Sequence, residues 1–307
     1  MSVVIGSPGL NRSLTAYLPW TNRAGRICPP RLAAFLALLA PALLLIFDSL
    51  SGTLGPRPWE VAIHRVGWWS VVFLLASLAV TPLRRTLRWS GLIVVRRMIG
   101  VSVFLAVLLH LALYAGQQSW DLLKVGTEIA VRFYLTIGFV ALLGLAALAA
   151  TSTDAMIRRL GGRRWQALHK LVYPIGLLAL VHFFLQSKND VTEPILFSGL
   201  FVWLMLYRLW RWRLGDPALK GLVLLAVGAA LLTGIGESIG ISLKHNVPLS
   251  VMLQSQFDLG IGIRPAWWVL GTGLAIAIAA VIRRQRAEAI SRSGRQYNPG
   301  NGGRPAR

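Results

Sequence analysis

Five histidines, His64, His110, His169, His182 and His245, are the residues of this chain best suited to chemistry. Four of them stand within or at the ends of long apolar runs, where a polar side chain is costly and marks function. One histidine in such a run serves equally well as an interhelical hydrogen-bond partner. Four together, with no carboxylate read inside the runs to build a proton relay, point to metal ligation. Neutral imidazole is a good iron ligand, and two on facing helices can clamp a haem edge-on between them. Cys28 is the only cysteine. An intrachain disulfide, an Fe–S cluster held by this chain alone and a Cys-x-x-Cys-His haem attachment are therefore excluded, so any haem is held non-covalently.

The elements that must position these histidines are membrane helices. The chain is 55% hydrophobic and only 14% charged, against about 25% charged in a soluble domain. About twenty apolar residues cross the hydrocarbon core as a helix. Eight such stretches are predicted, at 31–48, 61–80, 98–117, 132–150, 168–186, 194–212, 219–240 and 265–282. With the N-terminus inside, 25 of the 32 basic residues fall on one side, and the positive-inside rule puts both termini in the cytoplasm. The first ~26 residues lack an apolar signal-peptide core and read as a cytoplasmic tail. The net charge of +21 then describes a polybasic membrane face and not a nucleic-acid groove. Gly161-Gly162 reads as a turn with no strand before it, and no G-x-G-x-x-G nucleotide fold is present.

Depth sorts the histidines. His110 lies 12 residues beyond Met98, about 18 Å along an outward-running span, and His182 lies about 20 Å beyond His169 on another. His110 and His182 thus match in depth as axial ligands of one haem on the periplasmic side. His64 opens an inward-running span at the same level and is a further candidate ligand. His169, at the cytoplasmic end, has no histidine counterpart, because Arg97 occupies the matching depth. It stays a candidate ligand of a second haem. On a straight helix His169 and His182 point about 140° apart, and Pro174 between them can kink it. His245 is expected on a periplasmic loop, solvated.

Residues 30–213 resemble the MsrQ family, the haem-binding membrane subunits of the periplasmic methionine sulfoxide reductase system, within the ferric-reductase-like transmembrane superfamily. The runs AIHRVGWWSVVFLLASLAVTPLRR, RRMIGVSVFLAVLLHLALY and LAATSTDAMIRRLGGRRWQALHKLVYPIGLLALVHFF carry the likeness. Within them Thr81-Pro82, Arg96-Arg97, His110, Tyr114, Thr151-Ser152, Trp165, His169, Tyr173 and His182 fall in order at family spacings, with Lys188 just beyond.

The resemblance implies an all-α integral membrane protein of the bacterial inner membrane. With the spans read above, that gives a cytoplasmic tail at 1–30 and a six-helix haem-binding bundle at 31–213; beyond the resemblance lie a two-helix extension at 214–283 and a basic tail at 284–307, whose Gly, Pro, Ser, Asn and Arg predict disorder. The resemblance also implies haem b and FMN as cofactors. Electrons would pass from the quinone pool or a cytoplasmic flavin reductase to a periplasmic molybdenum-containing MsrP-type reductase that repairs oxidised methionines. The protein would be an electron-transfer subunit, not catalytic alone. Arg96, Arg97, Arg163 and Arg164 are candidates to pair with a flavin phosphate. Loops 48–60, 118–131 and 187–193, with Asp48, Glu60, Asp121, Glu128, Asp190 and Glu193, would face the reductase. The superfamily's oxidases carry two histidines on the third helix where this chain has only His110. Two other readings stand beside this one: a self-sufficient cytochrome b561-like quinone or ferric reductase, and a non-redox transporter or scaffold. Against the last stands the lack of buried acids and of interrupted helices in symmetric pairs.

Overall fold

A computed structural model describes residues 18–21, 25–187, 190–258, 260 and 262–296. Every regular element among them is a helix: α1 (Pro29–Leu50), α2 (Pro58–Thr86), α3 (Arg96–Gln117), α4 (Leu122–Val131), α5 (Phe133–Ala150), α6 (Asp154–Leu160), α7 (Gly162–His169), α8 (Val172–Gln186), α9 (Thr192–Leu214), α10 (Leu219–His245), α11 (Leu249–Ser255) and α12 (Pro265–Gln296), with a 3₁₀ segment at Ser90–Val95. Seven stretches are long and apolar enough to cross a membrane: α1, α2, the 3₁₀ segment with α3, α5, the stretch Gly162–Gln186, α10 and α12. The remaining expected span, 194–212, forms α9, equally long but diluted by Glu193, Arg208, Arg211 and Arg213. α1 shows why the medium must be lipid: only Pro41 and Leu45 are buried, while Leu43, Leu44, Ile46 and Phe47 face outward.

Contacts divide the chain into two compact units. Of the described residues, the first holds those up to Val80 and those within Gly91–Phe201. Its core joins Phe73 and Leu74 of α2, Val103 of α3, Ala141, Leu145 and Leu148 of α5 and Ile175 of α8. Gly144 lets α5 and α8 approach closely, since a Cβ there would come within 2.7 Å of the Ile175 side chain. The segment 118–131, expected as loop, contains α4, capped by Asp121, whose Oδ1 accepts from the Lys124 N–H at 2.9 Å. Nor is the stretch bearing His169 and His182 one helix. α7 ends at His169, and i→i−3 bonds at Lys170, Leu171 and Tyr173 turn the chain into α8. Pro174 sits in the first turn of α8, where its missing N–H costs nothing. The 140° offset of a straight helix therefore does not apply.

The second unit holds Thr81–Ser90 and the described residues from Val202 on. α10 and α12 pack through small residues: Ala226 and Ala229 are fully buried, and a Cβ on Gly273 would come 2.6 Å from the Ala226 Cβ. This unit corrects the expectation of no buried acid. Glu237 of α10 is 4% exposed and lies 3.3 Å from the Arg264 guanidinium. Gln256, just past α11, donates to Glu237 Oε2 at 3.2 Å, and Ser238 donates to the Met252 carbonyl at 3.2 Å. A lone acid in a 22-residue apolar run leaves mean hydropathy high, so the run masks it. The argument against a transporter from missing buried acids falls with it. α12 continues to Gln296, into the segment expected to be disordered, because Ala287, Glu288 and Ala289 continue a strong helix-forming sequence. Residues 297–307 lie outside the described residues, as do 1–17 of the expected N-terminal tail.

Candidate functional site

The first unit brings two of the five histidines together. His110 of α3 and His182 of α8 have ring centroids 6.3 Å apart and ring planes at 89°. Each ring is oriented by a helix that does not carry it. His110 Nδ1 lies 2.9 Å from the Ile63 carbonyl of α2, and His182 Nδ1 lies 2.8 Å from the Tyr134 carbonyl of α5. A carbonyl only accepts, so Nδ1 is the protonated nitrogen in both rings, and in the neutral tautomer Nε2 carries the lone pair. This is the second-shell arrangement that orients metal-bound histidines.

Both contacts use the same local device. Gly67 stands four residues after Ile63, and Gly138 four residues after Tyr134. In an α-helix the carbonyl of residue i faces the N–H of residue i+4, and Cβ of that residue leans back toward it. Glycine at i+4 leaves the carbonyl open to a second donor. A Cβ at Gly67 would come 3.0 Å from His110 Cε1, and one at Gly138 would come 2.9 Å from both Cε1 and Nδ1 of His182. Reading the sequence for titratable residues misses both glycines. Their only signal is spacing within a span, which other span glycines such as Gly144 do not distinguish.

A cavity of about 340 Å³ is lined by both rings. Its walls are apolar along Leu74, Val103, Leu142 and Leu145 and polar at one end, with His64, Tyr114, Gln186, Ser187 and Glu193. The arrangement fits a haem. Two imidazoles on opposite sides of one metal, each bonded at about 2 Å with its nitrogen just over ~1 Å from the ring centre, have centroids roughly 6 Å apart. The apolar walls suit the macrocycle.

The other candidates stand apart from the ring pair. His64 of α2 lines the cavity at its polar end. His169 closes α7 beneath Trp165, with ring centroids 4.0 Å apart, and its Nε2 is 3.3 Å from Thr151 Oγ1. Trp165 Nε1 donates to the Thr151 carbonyl at 2.9 Å, so the turn after α5 holds both rings. Arg96, Arg163 and Arg164 are exposed, and Arg97 pairs with Asp154. His245, expected on a loop, is the exposed last residue of α10. Of the six loop acids, Asp48 pairs with Arg65, Glu60 with Arg57 and Glu128 with Arg132. Half of that acidic rim is thereby neutralised.

Residues 66–180, which include His110 and His169 and end two residues before His182, match the family model described as "Ferric reductase like transmembrane component". The "Protein-methionine-sulfoxide reductase heme-binding subunit MsrQ" of Rhodospirillum rubrum is 43% identical over 180 residues, covering 58% of this chain and 86% of that protein. The proteins of the same name from Herminiimonas arsenicoxydans (37% over 194 residues, 60% of this chain and 89% of that one) and Xanthomonas oryzae (42% over 184 residues, 57% and 83%) agree. No solved structure matches. Such identity over more than four fifths of each relative makes this chain a member of the MsrQ family, in the ferric-reductase-like transmembrane superfamily.

Proposed function

We propose that this protein is the haem b-carrying membrane subunit of a protein-methionine-sulfoxide reductase system, moving electrons across the bacterial inner membrane. The opposed His110–His182 pair, each ring fixed by a carbonyl of a neighbouring helix, is the observation that carries the reading. The relatives' name, a heme-binding subunit, supports it independently. Haem supplies one-electron redox chemistry when bound. The chain's own part is to hold two Nε2 atoms toward the cavity, to keep water from it with apolar walls, and to resist ring rotation as the charge of the site changes.

Both termini are assigned to the cytoplasm on charge asymmetry. His110 and His182 then lie near the periplasmic face, and residues 31–213 form the haem domain. His169, Trp165 and Thr151 lie on the opposite, cytoplasmic side. FMN is assigned to this side: exposed Arg96, Arg163 and Arg164 can take a phosphate, and Trp165 and His169 offer a stacked aromatic surface. Arg97 is already engaged by Asp154. The donor is the quinone pool or a flavin reductase, and the acceptor is a periplasmic MsrP-type reductase.

The test is reoxidation of the dithionite-reduced protein by a purified MsrP-type partner plus a methionine sulfoxide substrate. Prompt reoxidation that requires both is expected. A haem that stays reduced with the partner present, yet is oxidised at once by a ferric chelate or quinone alone, makes the protein a self-sufficient quinone or ferric reductase.

A further inference from the structure

The polar end of the cavity raises a question that the ring pair does not answer. Five polar side chains gather there, and all come from helix ends on one side of the first unit: His64 in the second turn of α2, Tyr114 in the last turn of α3, Gln186 and Ser187 at the end of α8, and Glu193 opening α9. No arginine or lysine lines the cavity among the described residues. Apart from the opposed pair, His64 is the one lining side chain there able to carry a positive charge.

Building on the haem reading above, we propose that His64 is the hydrogen-bond partner of a haem propionate and not a ligand of the iron. On the haem reading His110 and His182, with ring centroids 6.3 Å apart, would hold the iron between them and leave no coordination position for His64. His64 precedes Gly67 by three residues, so it shares the helix face that carries the Gly67 contact to His110, one turn nearer the helix end. Haem is an apolar disc with two carboxylates at one edge. In this cavity the disc belongs between the apolar walls, which leaves the carboxylate edge at the polar end. There Glu193 repels a carboxylate, and an imidazole N–H, neutral or protonated, can donate to one.

The experiment titrates the full-length apo-protein with haem b and with its dimethyl ester, whose carboxylates are blocked, in wild type, His64→Ala and His64→Gln. Wild type is expected to bind haem about ten-fold more tightly than the diester, the worth of one charge-assisted hydrogen bond. His64→Ala should lose that preference by weakening haem and not the diester, the non-additivity of a direct contact. The low-spin bis-imidazole spectrum should persist in His64→Ala, and His64→Gln, which keeps an N–H, should recover part of the preference. The midpoint potential of His64→Ala should fall, because a carboxylate without its hydrogen-bond donor disfavours the added electron. Three results overturn the proposal: loss of the low-spin spectrum in His64→Ala, which makes His64 a ligand; equal weakening of haem and diester, which makes it packing; and unchanged affinity and potential. Wild type that binds neither haem nor diester fails the haem reading itself.

Discussion

Gly138→Ala tests the carbonyl–glycine device directly. The new Cβ would sit 2.9 Å from His182 Cε1 and Nδ1 and 3.3 Å from Cγ. Carbon contacts are comfortable at about 3.5–4.0 Å, so the ring must retreat by roughly 0.6 Å or more. It cannot retreat freely, because its Nδ1–H is held 2.8 Å from the Tyr134 carbonyl on the same helix as the new methyl. The retreat carries that bond beyond the ~3.2 Å limit of a good hydrogen bond. Overpacking costs about 1–3 kcal/mol and a weakened hydrogen bond about 1 kcal/mol. Together these are about 2–4 kcal/mol, so the haem affinity should drop about 30- to 900-fold. At Gly67 the nearest His110 atoms are 3.0 and 3.1 Å away, so Gly67→Ala should be the milder of the two. Gly126→Ala, where a Cβ meets nothing within 4 Å, is the control and should leave haem binding untouched. The assay is haem titration of the folded apo-protein, followed by the low-spin absorption spectrum. Wild-type affinity in Gly138→Ala, or the reverse ranking of Gly67 and Gly138, would refute the reasoning.

Replacing either His110 or His182 by alanine should abolish the reduced-minus-oxidised spectrum of the haem they share, and full haem content in both variants sinks the pairing. The 89° between their planes leaves the two iron d orbitals that meet the imidazole π systems nearly degenerate. The ferric protein should accordingly give a strongly anisotropic low-spin EPR signal, whereas a rhombic signal of the parallel-plane type contradicts the observed ring setting. His169→Ala should alter haem stoichiometry, flavin content or the rate of electron intake from the cytoplasmic side; if none of the three moves, the Thr151–Trp165–His169 cluster is structural. Glu237→Leu strands Arg264 and Gln256 without their acceptor, at about 3–5 kcal/mol for one partner of a buried pair. Faster amide hydrogen exchange across 247–258 should report it, with Glu237→Gln intermediate, and protection equal to wild type in both variants dismisses the buried network as a stabilising contact.

The amino-acid sequence by itself determined what depends on local chemistry. Whether a run is long and apolar enough to cross a bilayer is settled by its own residues, so the spans were legible, α9 included as a helix. Depth along a helix follows from a rise of about 1.5 Å per residue, which placed His110 and His182 at one level before any packing was known. The order of motifs from Thr81 to His182 was enough to point to the family. Local reading failed where the outcome hung on a neighbour. The turn at Lys170–Leu171, the helix Leu122–Val131 and the Glu237–Arg264 pair all lie in stretches whose composition permits several local structures. Tertiary structure alone decided the ring orientations. Ile63 and Tyr134 are 47 and 48 residues from the histidines they hold, and Gly67 and Gly138 gain meaning only when another helix lays an imidazole against them. A carbonyl shared between its own helix and a foreign side chain leaves no trace in composition or periodicity, because the backbone group is present at every residue and only packing selects which one is used.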